Sequence, residues 1–262
     1  MATNIIEISF LQVTFGYIFI LIVLWMLKMR GISKEKLLII ASVRMTVQLV
    51  LVGFLLTYII ENPNPLVTLV IVLIMLSFAI YTILNKFKGR LSKPLKKVIL
   101  FSMVLGTLPV LVYFLWVVIR IEPYYNPQYF IPITGMIIGN SMTGISLSVQ
   151  SLITRFEKSR NEIETSLILG ATPKEASAEI INDAFDSAIM PTLNSMLGMG
   201  IIFLPGMMTG QILSGVIPTL AILYQIAVML GILGGVSITT YLFLQFGYKT
   251  YFNAQAQLID YT

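Results

Sequence analysis

The feature that most constrains this chain is a succession of long, uncharged, apolar runs. The first is Ile8 to Leu27, and others begin near positions 37, 66, 98, 131, 187 and 219. The hydrocarbon layer of a bilayer is about 30 Å thick and a helix rises about 1.5 Å per residue, so a span needs roughly 20 mainly apolar residues. Spans are expected at 8–27, 37–60, 66–84, 98–119, 131–153, 187–204 and 219–246. The fold class is therefore an all-α polytopic membrane protein of about seven transmembrane helices. With 57% of its 262 residues apolar and 11% charged, the chain lacks the polar surface a water-soluble globule needs. The first run follows Glu7, with no Lys or Arg before it, and is longer than the apolar core of a signal peptide, so it is expected to remain in the mature protein.

Basic residues sort by connection. Lys28, Arg30, Lys34 and Lys36 follow the first span, Lys86, Lys88, Arg90, Lys93, Lys96 and Lys97 follow the third, and Arg155, Lys158, Arg160 and Lys174 follow the fifth. With Lys249, this places 15 of the 17 on one side, while the alternate connections carry only Glu61, then Arg120 and Glu122, then no charge from 205 to 218. The positive-inside rule puts the N-terminus outside and the C-terminus in the cytoplasm of a multi-pass cell-membrane protein. The same asymmetry accounts for the net charge of +5, so no nucleic-acid partner is expected.

The sequence holds no Cys and no His, which removes disulfides, thiolate or imidazole metal ligands and Cys or His nucleophile pairs. It also has no Gly-x-x-x-x-Gly-Lys-Ser/Thr loop to hold ATP. A membrane enzyme would need a nucleophile, a base or a metal triad, and is the least favoured class.

Residues 155–186 form the one long stretch rich in charges of both signs, a cytoplasmic insert between spans five and six. Ile163, Leu167 and Gly170 repeat at helical spacing, as do Ala176, Ile180 and Ala184, so two short amphipathic helices are expected. Between them Gly170 suits a helix end, Thr172 an N-cap, Pro173 the first helical position and Glu175 the closing residue of a capping box. A helix-turn-helix corner of this kind is either a satisfied loop or a rigid knob that docks in a groove of a soluble partner.

The motifs carry a resemblance. Glu164-Thr165-Ser166, then Gly170, then Ile180 is similar to the cytoplasmic coupling loop of ATP-binding cassette (ABC) permeases, with Asn182-Asp183 in place of its usual Leu-Pro ending. Pro132 to Asn140, Leu169-Gly170-Ala171-Thr172-Pro173, Leu204 to Gly210 and Tyr224-Gln225, in that order, resemble the Fet-type iron-export permeases and their plant aluminium-tolerance relatives. The resemblance implies a single transmembrane permease domain over 1–262 that pairs with a separate ATP-binding subunit. ATP and Mg would then lie on that subunit and no cofactor on this chain. It further implies a permease homodimer and a metal-ion cargo such as iron. Glu164, Leu169, Gly170, Ala171, Thr172 and Pro173 would form the coupling contact.

Polar residues within the spans are candidates for a translocation path. Arg44 is the only charge well inside a span, with Gln48 one turn on; it either faces a wet cavity or snorkels to the lipid phosphates. Asn140 needs partners wherever it is buried, lining a path or tying two helices together. Asn194 and Leu197 stand where some members of the family carry an acidic and a basic residue, and Gln225 completes the set. Gly135 and Gly139 have the spacing of close helix packing, and Pro205-Gly206 is expected to break a helix before a segment at 207–217 too short to cross. Met136, Met142, Met190, Met196, Met199, Met207 and Met208 are soft thioethers that also fill gaps, and they name no metal. Oxygen donors on the outer side are few: Glu61, Glu122 and Glu7. Two other classes stay open: a gradient-driven secondary transporter, which would usually carry acidic or His relays in its spans, and a membrane scaffold or sensor.

Overall fold

The structure is a computed structural model that describes residues 8–259, so Glu7 lies outside them. Eleven α-helices order the described chain: α1 (Phe10–Gly16), α2 (Ile18–Met29), α3 (Glu35–Glu61), α4 (Pro65–Lys86), α5 (Lys93–Tyr113), α6 (Pro127–Lys158), α7 (Arg160–Ile168), α8 (Pro173–Ala176), α9 (Ala178–Gly198), α10 (Gly206–Leu213) and α11 (Pro218–Gly247). A π-helical turn, Phe114–Ile119, prolongs α5, and a 3₁₀ turn, Tyr248–Tyr251, follows α11.

The starts repeat one local device. Asn64 before Pro65, Asn126 before Pro127 and Thr172 before Pro173 each cap a helix with a side-chain oxygen while the proline supplies a preset first helical residue. Ser92 caps α5 the same way, and Ser9 and Gln12 close a reciprocal capping box on α1.

The chain divides into two compact units, residues 1–63 with 213–215, and 64–212 with 216–262. Within the first, α2 lies against α3, and Tyr17 and Thr46 share a hydroxyl–hydroxyl hydrogen bond. Nearly every side chain of these helices is exposed.

The second unit is built around α11, which packs on α5, α6 and α9. Its interior is apolar, with Ile99, Met103, Ile137, Ile145, Leu152, Val228, Val236 and Phe243 all buried. The helices approach closely because small residues sit where they cross. A Cβ added to Gly106 would lie 2.6 Å from the Cα of Thr239, one on Gly235 would lie 2.8 Å from Ile137, and one on Gly144 would lie 2.8 Å from Val236. Pro109 lies inside α5 and removes a backbone donor shortly before the helix widens into its π turn.

Among the described residues, six helical segments are long and apolar enough to cross a membrane by length and composition: Phe10–Met29, Glu35–Glu61, Pro65–Lys86, Lys93–Ile119, Pro127–Lys158 and Pro218–Tyr251. The segment expected at 187–204 is divided. Helix α9 starts back in the charged stretch and ends at Gly198, after which Gly200, with φ +82, turns the chain and its N–H donates to the Phe203 carbonyl at 2.9 Å. The helix therefore breaks at Met199, ahead of Pro205. Pro205 instead opens α10, its carbonyl accepting from the Thr209 N–H at 2.9 Å. The charged stretch differs from expectation in one more respect: its second short helix is continuous with the following segment, since nothing between Ala178 and Gly198 interrupts the ladder except the tolerated Pro191.

Candidate functional site

The corner at 168–173 joins α7 to α8 within the second unit. Helix α6 runs past its apolar part to Lys158, and a one-residue hinge at Ser159 leads into α7. Ile163 and Ile180 are buried and anchor the two sides of the corner in the core. Three ion pairs brace it: Arg155 Nη1 lies 2.5 Å from Asp183 Oδ2, joining α6 to α9; Arg160 Nε lies 2.8 Å from Glu164 Oε1 along α7; and Arg90 Nη2 lies 2.9 Å from Glu157 Oε2, joining α6 to the α4–α5 turn. Each pair is partly exposed, so each contributes about 0–1 kcal/mol and serves more to set angles than to hold the fold.

At the tip the geometry follows the sequence. Gly170 has φ +95, a left-handed conformation that costs a residue with a Cβ more than a glycine. The Thr172 N–H and hydroxyl both donate to Glu175 Oε2 at 2.8 Å, and the Glu175 N–H donates back to Thr172 Oγ1 at 3.3 Å. These hydrogen bonds from the Thr172 backbone, then from its hydroxyl, hold the Glu175 carboxyl below the usual range. The Ser177 hydroxyl donates to the Pro173 carbonyl at 2.6 Å and continues the turn. Ile168 and Leu169 stand out from this frame, 85% and 82% exposed. A recess of about 300 Å³ separates Thr172, Pro173 and Lys174 from Tyr248, Lys249 and Phe252, so the segment after α11 flanks the corner. Glu164 sits more than a turn back on α7, paired with Arg160, while Leu169, Gly170, Ala171, Thr172 and Pro173 lie together at the tip. Ile168 belongs with them, and its position beside Leu169 at the end of a polar helix was the signal for it.

The candidate path residues are more scattered. Arg44 and Gln48 lie on α3 in the first unit, both exposed. Asn140, on α6, is exposed and donates to the Met136 carbonyl of its own helix at 2.8 Å, so it ties no second helix to the first. Asn194, on α9, is exposed beside the 79% exposed Leu197. Gln225, on α11, is 6% exposed, and its side-chain carbonyl has no hydrogen-bond partner. These last three lie on helices that pack against one another. Gly135 approaches the Met75 methyl, where a Cβ would lie 3.0 Å away, while Gly139 has open space around it.

The structure adds a buried polar seam that sequence reasoning passed over. Thr134, Ser141 and Ser148 recur every seven residues along α6, and with Ser102 on α5 and Thr240 on α11 they are buried with hydroxyls lacking partners. Short polar residues at a seven-residue interval in an apolar helix were the available signal. Among the described residues no three acidic side chains gather in one place.

A bundle of long apolar helices with a braced, charged corner at one end defines a polytopic helical membrane protein. The chain belongs to the family described as Uncharacterised protein family (UPF0014), whose model matches residues 10–252, and this is the family the sequence motifs resemble. A UPF0014 membrane protein of Synechocystis is 37% identical over 89% of this chain and 90% of its own length. The Probable iron export permease protein FetB of Escherichia coli is 33% identical over 82% of each chain. Protein ALUMINUM SENSITIVE 3 of Arabidopsis thaliana is 32% identical over 87% of this chain and 82% of its own length. No solved structure matches.

Proposed function

We propose that this chain is the permease subunit of an ATP-driven exporter of metal ions, iron among them, and that a separate ABC subunit, carrying ATP and Mg, docks on the corner around Gly170. The observation that carries the reading is the pair of bare side chains, Ile168 and Leu169, held out on a capped and ion-paired turn in an otherwise charged stretch. Exposing two large aliphatic groups to water costs several kcal/mol relative to burying them, at about 1.5–3 kcal/mol each, and a partner groove recovers it. The similarity to a protein named as a probable iron export permease supports the cargo and the direction.

In this reading the corner faces the cytoplasm, the N-terminus lies outside, and two copies of the permease pair with two ATPase subunits. Movement of the ATPase is passed through α6 and α9, which run from the corner into the bundle. The cargo path lies among α6, α9 and α11, near Asn140, Asn194 and Gln225.

The test is the ATPase rate of a partner subunit co-purified with this chain in liposomes, with and without ferrous iron. A metal-stimulated rate that Leu169→Glu abolishes supports the reading. An ATPase that fails to co-purify, or whose rate ignores both the chain and the metal, overturns it. Leu169 is the better control than Gly170, because a substitution at φ +95 strains the turn itself.

A further inference from the structure

Away from the corner, polar chemistry concentrates in a second place. Lys86, Lys88, Arg90, Lys93, Lys96 and Lys97 crowd the α4–α5 turn with no acidic residue among them, and all six are exposed. Beside this turn, the ends of α5, α6 and α7 and the segment after α11 enclose a cavity of about 350 Å³. A topology signal alone needs the charges but no cavity.

The lining has two faces. One is apolar: Leu95, Ile153 and Leu258, with Phe156 stacked on Tyr251 at 4.1 Å between ring centroids. The other carries the guanidiniums of Arg90 and Arg160, each in a partly exposed ion pair, Arg90 with Glu157 of the lining and Arg160 with Glu164 just outside it. Glu157 is 61% exposed and its pair with Arg90 is a surface pair, so a stronger anion can displace it. Guanidinium groups match the oxygens of a phosphate, and apolar carbon beside them accommodates what the phosphate is attached to.

We propose that this cavity and its basic rim bind the headgroup of an anionic phospholipid, the phosphate against Arg90 and Arg160 and the glycerol and first acyl carbons over Leu95, Ile153 and Leu258. Charge selects the lipid: six cations in twelve residues attract an anionic headgroup and gain little from a zwitterionic one. The apolar face selects a lipid over a free phosphate, which would leave that face empty. Because Arg160 opens α7, a bound lipid sits at the root of the corner and steadies it. The inference concerns the chain alone and stands whether or not an ATPase docks on it.

The test is native mass spectrometry of the full chain from bilayers of mixed phosphatidylcholine and phosphatidylglycerol, with melting temperatures of each variant in phosphatidylcholine alone as the folding control. Wild type retains phosphatidylglycerol in preference, Arg90→Gln lowers the preference about fivefold, as loss of one interfacial charge should, and Glu157→Gln raises it by removing the competing carboxylate. Two results overturn the proposal. One is a preference that Glu157→Gln leaves unchanged while Lys96→Gln lowers it as much as Arg90→Gln does, which means diffuse charge attraction. The other is displacement of phosphatidylglycerol by millimolar inorganic phosphate, which means a simple anion site.

Discussion

Replacing Gly106 by Ala tests whether close approach of α5 and α11 holds the second unit together. The added methyl would lie 2.5 Å from Thr239 Oγ1, 2.6 Å from Thr239 Cα and 2.9 Å from Thr239 Cβ. One of these atoms is backbone, so relief requires the two helices to separate rather than a side chain to turn. Overpacking in a close-packed interior costs about 1–3 kcal/mol, and a backbone clash belongs at the top of that range. Ala gains about 1 kcal/mol over Gly in a helix interior, which leaves a net loss of about 2 kcal/mol. Gly139, on α6, is the internal comparison: it has open space around it, so Gly139→Ala should gain about 1 kcal/mol. The two variants then differ by about 3 kcal/mol, or about two orders of magnitude in the unfolding equilibrium. Reversible unfolding in bicelles measures the difference. If Gly106→Ala proves as stable as Gly139→Ala, the tight crossing at Thr239 is not what stabilises the bundle.

At the corner, Thr172→Ala removes the side-chain half of the capping box, leaves the backbone N–H bond to Glu175, and should cost about 1 kcal/mol locally, read as faster hydrogen exchange at the amides of 173–177. The Glu175 carboxyl, lowered by its Thr172 bonds, contributes stability that is present above its unfolded pKa and lost as pH falls through its folded value. The corner should therefore loosen only in acid, below the ordinary glutamate range, and Glu175→Gln should abolish that dependence in the chemical shift of the Thr172 amide. Arg155→Ala parts α6 from α9 at an exposed pair and should change stability by no more than about 1 kcal/mol. Since the chain has no native cysteine, Lys174→Cys offers a single labelling site; a membrane-impermeant maleimide should reach it only from the cytoplasmic side, and labelling from outside would invert the proposed orientation.

Most of the transmembrane architecture was legible because hydropathy in a bilayer is a solvent constraint that each helix answers alone. The corner was legible for a related reason: Gly170, Thr172, Pro173 and Glu175 act within a few residues of one another, and every cap they predict is formed. What failed to show depends on tertiary neighbours. The break at Met199 comes from Gly198 and Gly200 flanking a residue that turns to extended backbone, whereas Pro205, the stronger breaker by itself, sits harmlessly where a helix begins. Gly106, Gly144 and Gly235 look no different in sequence from Gly139, yet only the first three meet a neighbouring helix. Candidate path residues fared as non-local features do, with Gln225 buried on α11 and Asn140 and Asn194 exposed on α6 and α9.

The arrangement also bears on how a docked partner could move the bundle. A corner on a flexible loop would absorb a push, but here both its arms are helices that enter the core, α6 through Ile153 and Phe156 and α9 through Ile180 and Ala184. Arg155 and Asp183 fix the separation of those arms just above the point where they become buried. In the proposed coupling, a displacement at Leu169 would reach α6 through α7 and the turn at Ser159, and α9 through α8 and the turn at Ser177, and both α6 and α9 pack on α11. The element that must yield is the crossing of α11 with α6, where Val236 fills the notch at Gly144 and Ile137 the notch at Gly235, so one helix moves on the other only if these side chains leave their notches. Gly235→Ala should accordingly hinder any conformational cycle driven from the corner while leaving partner binding at the corner intact, a separation that pull-down and ATPase measurements can show on the same variant once its melting temperature confirms that it is folded. Loss of both together would place the transmission elsewhere.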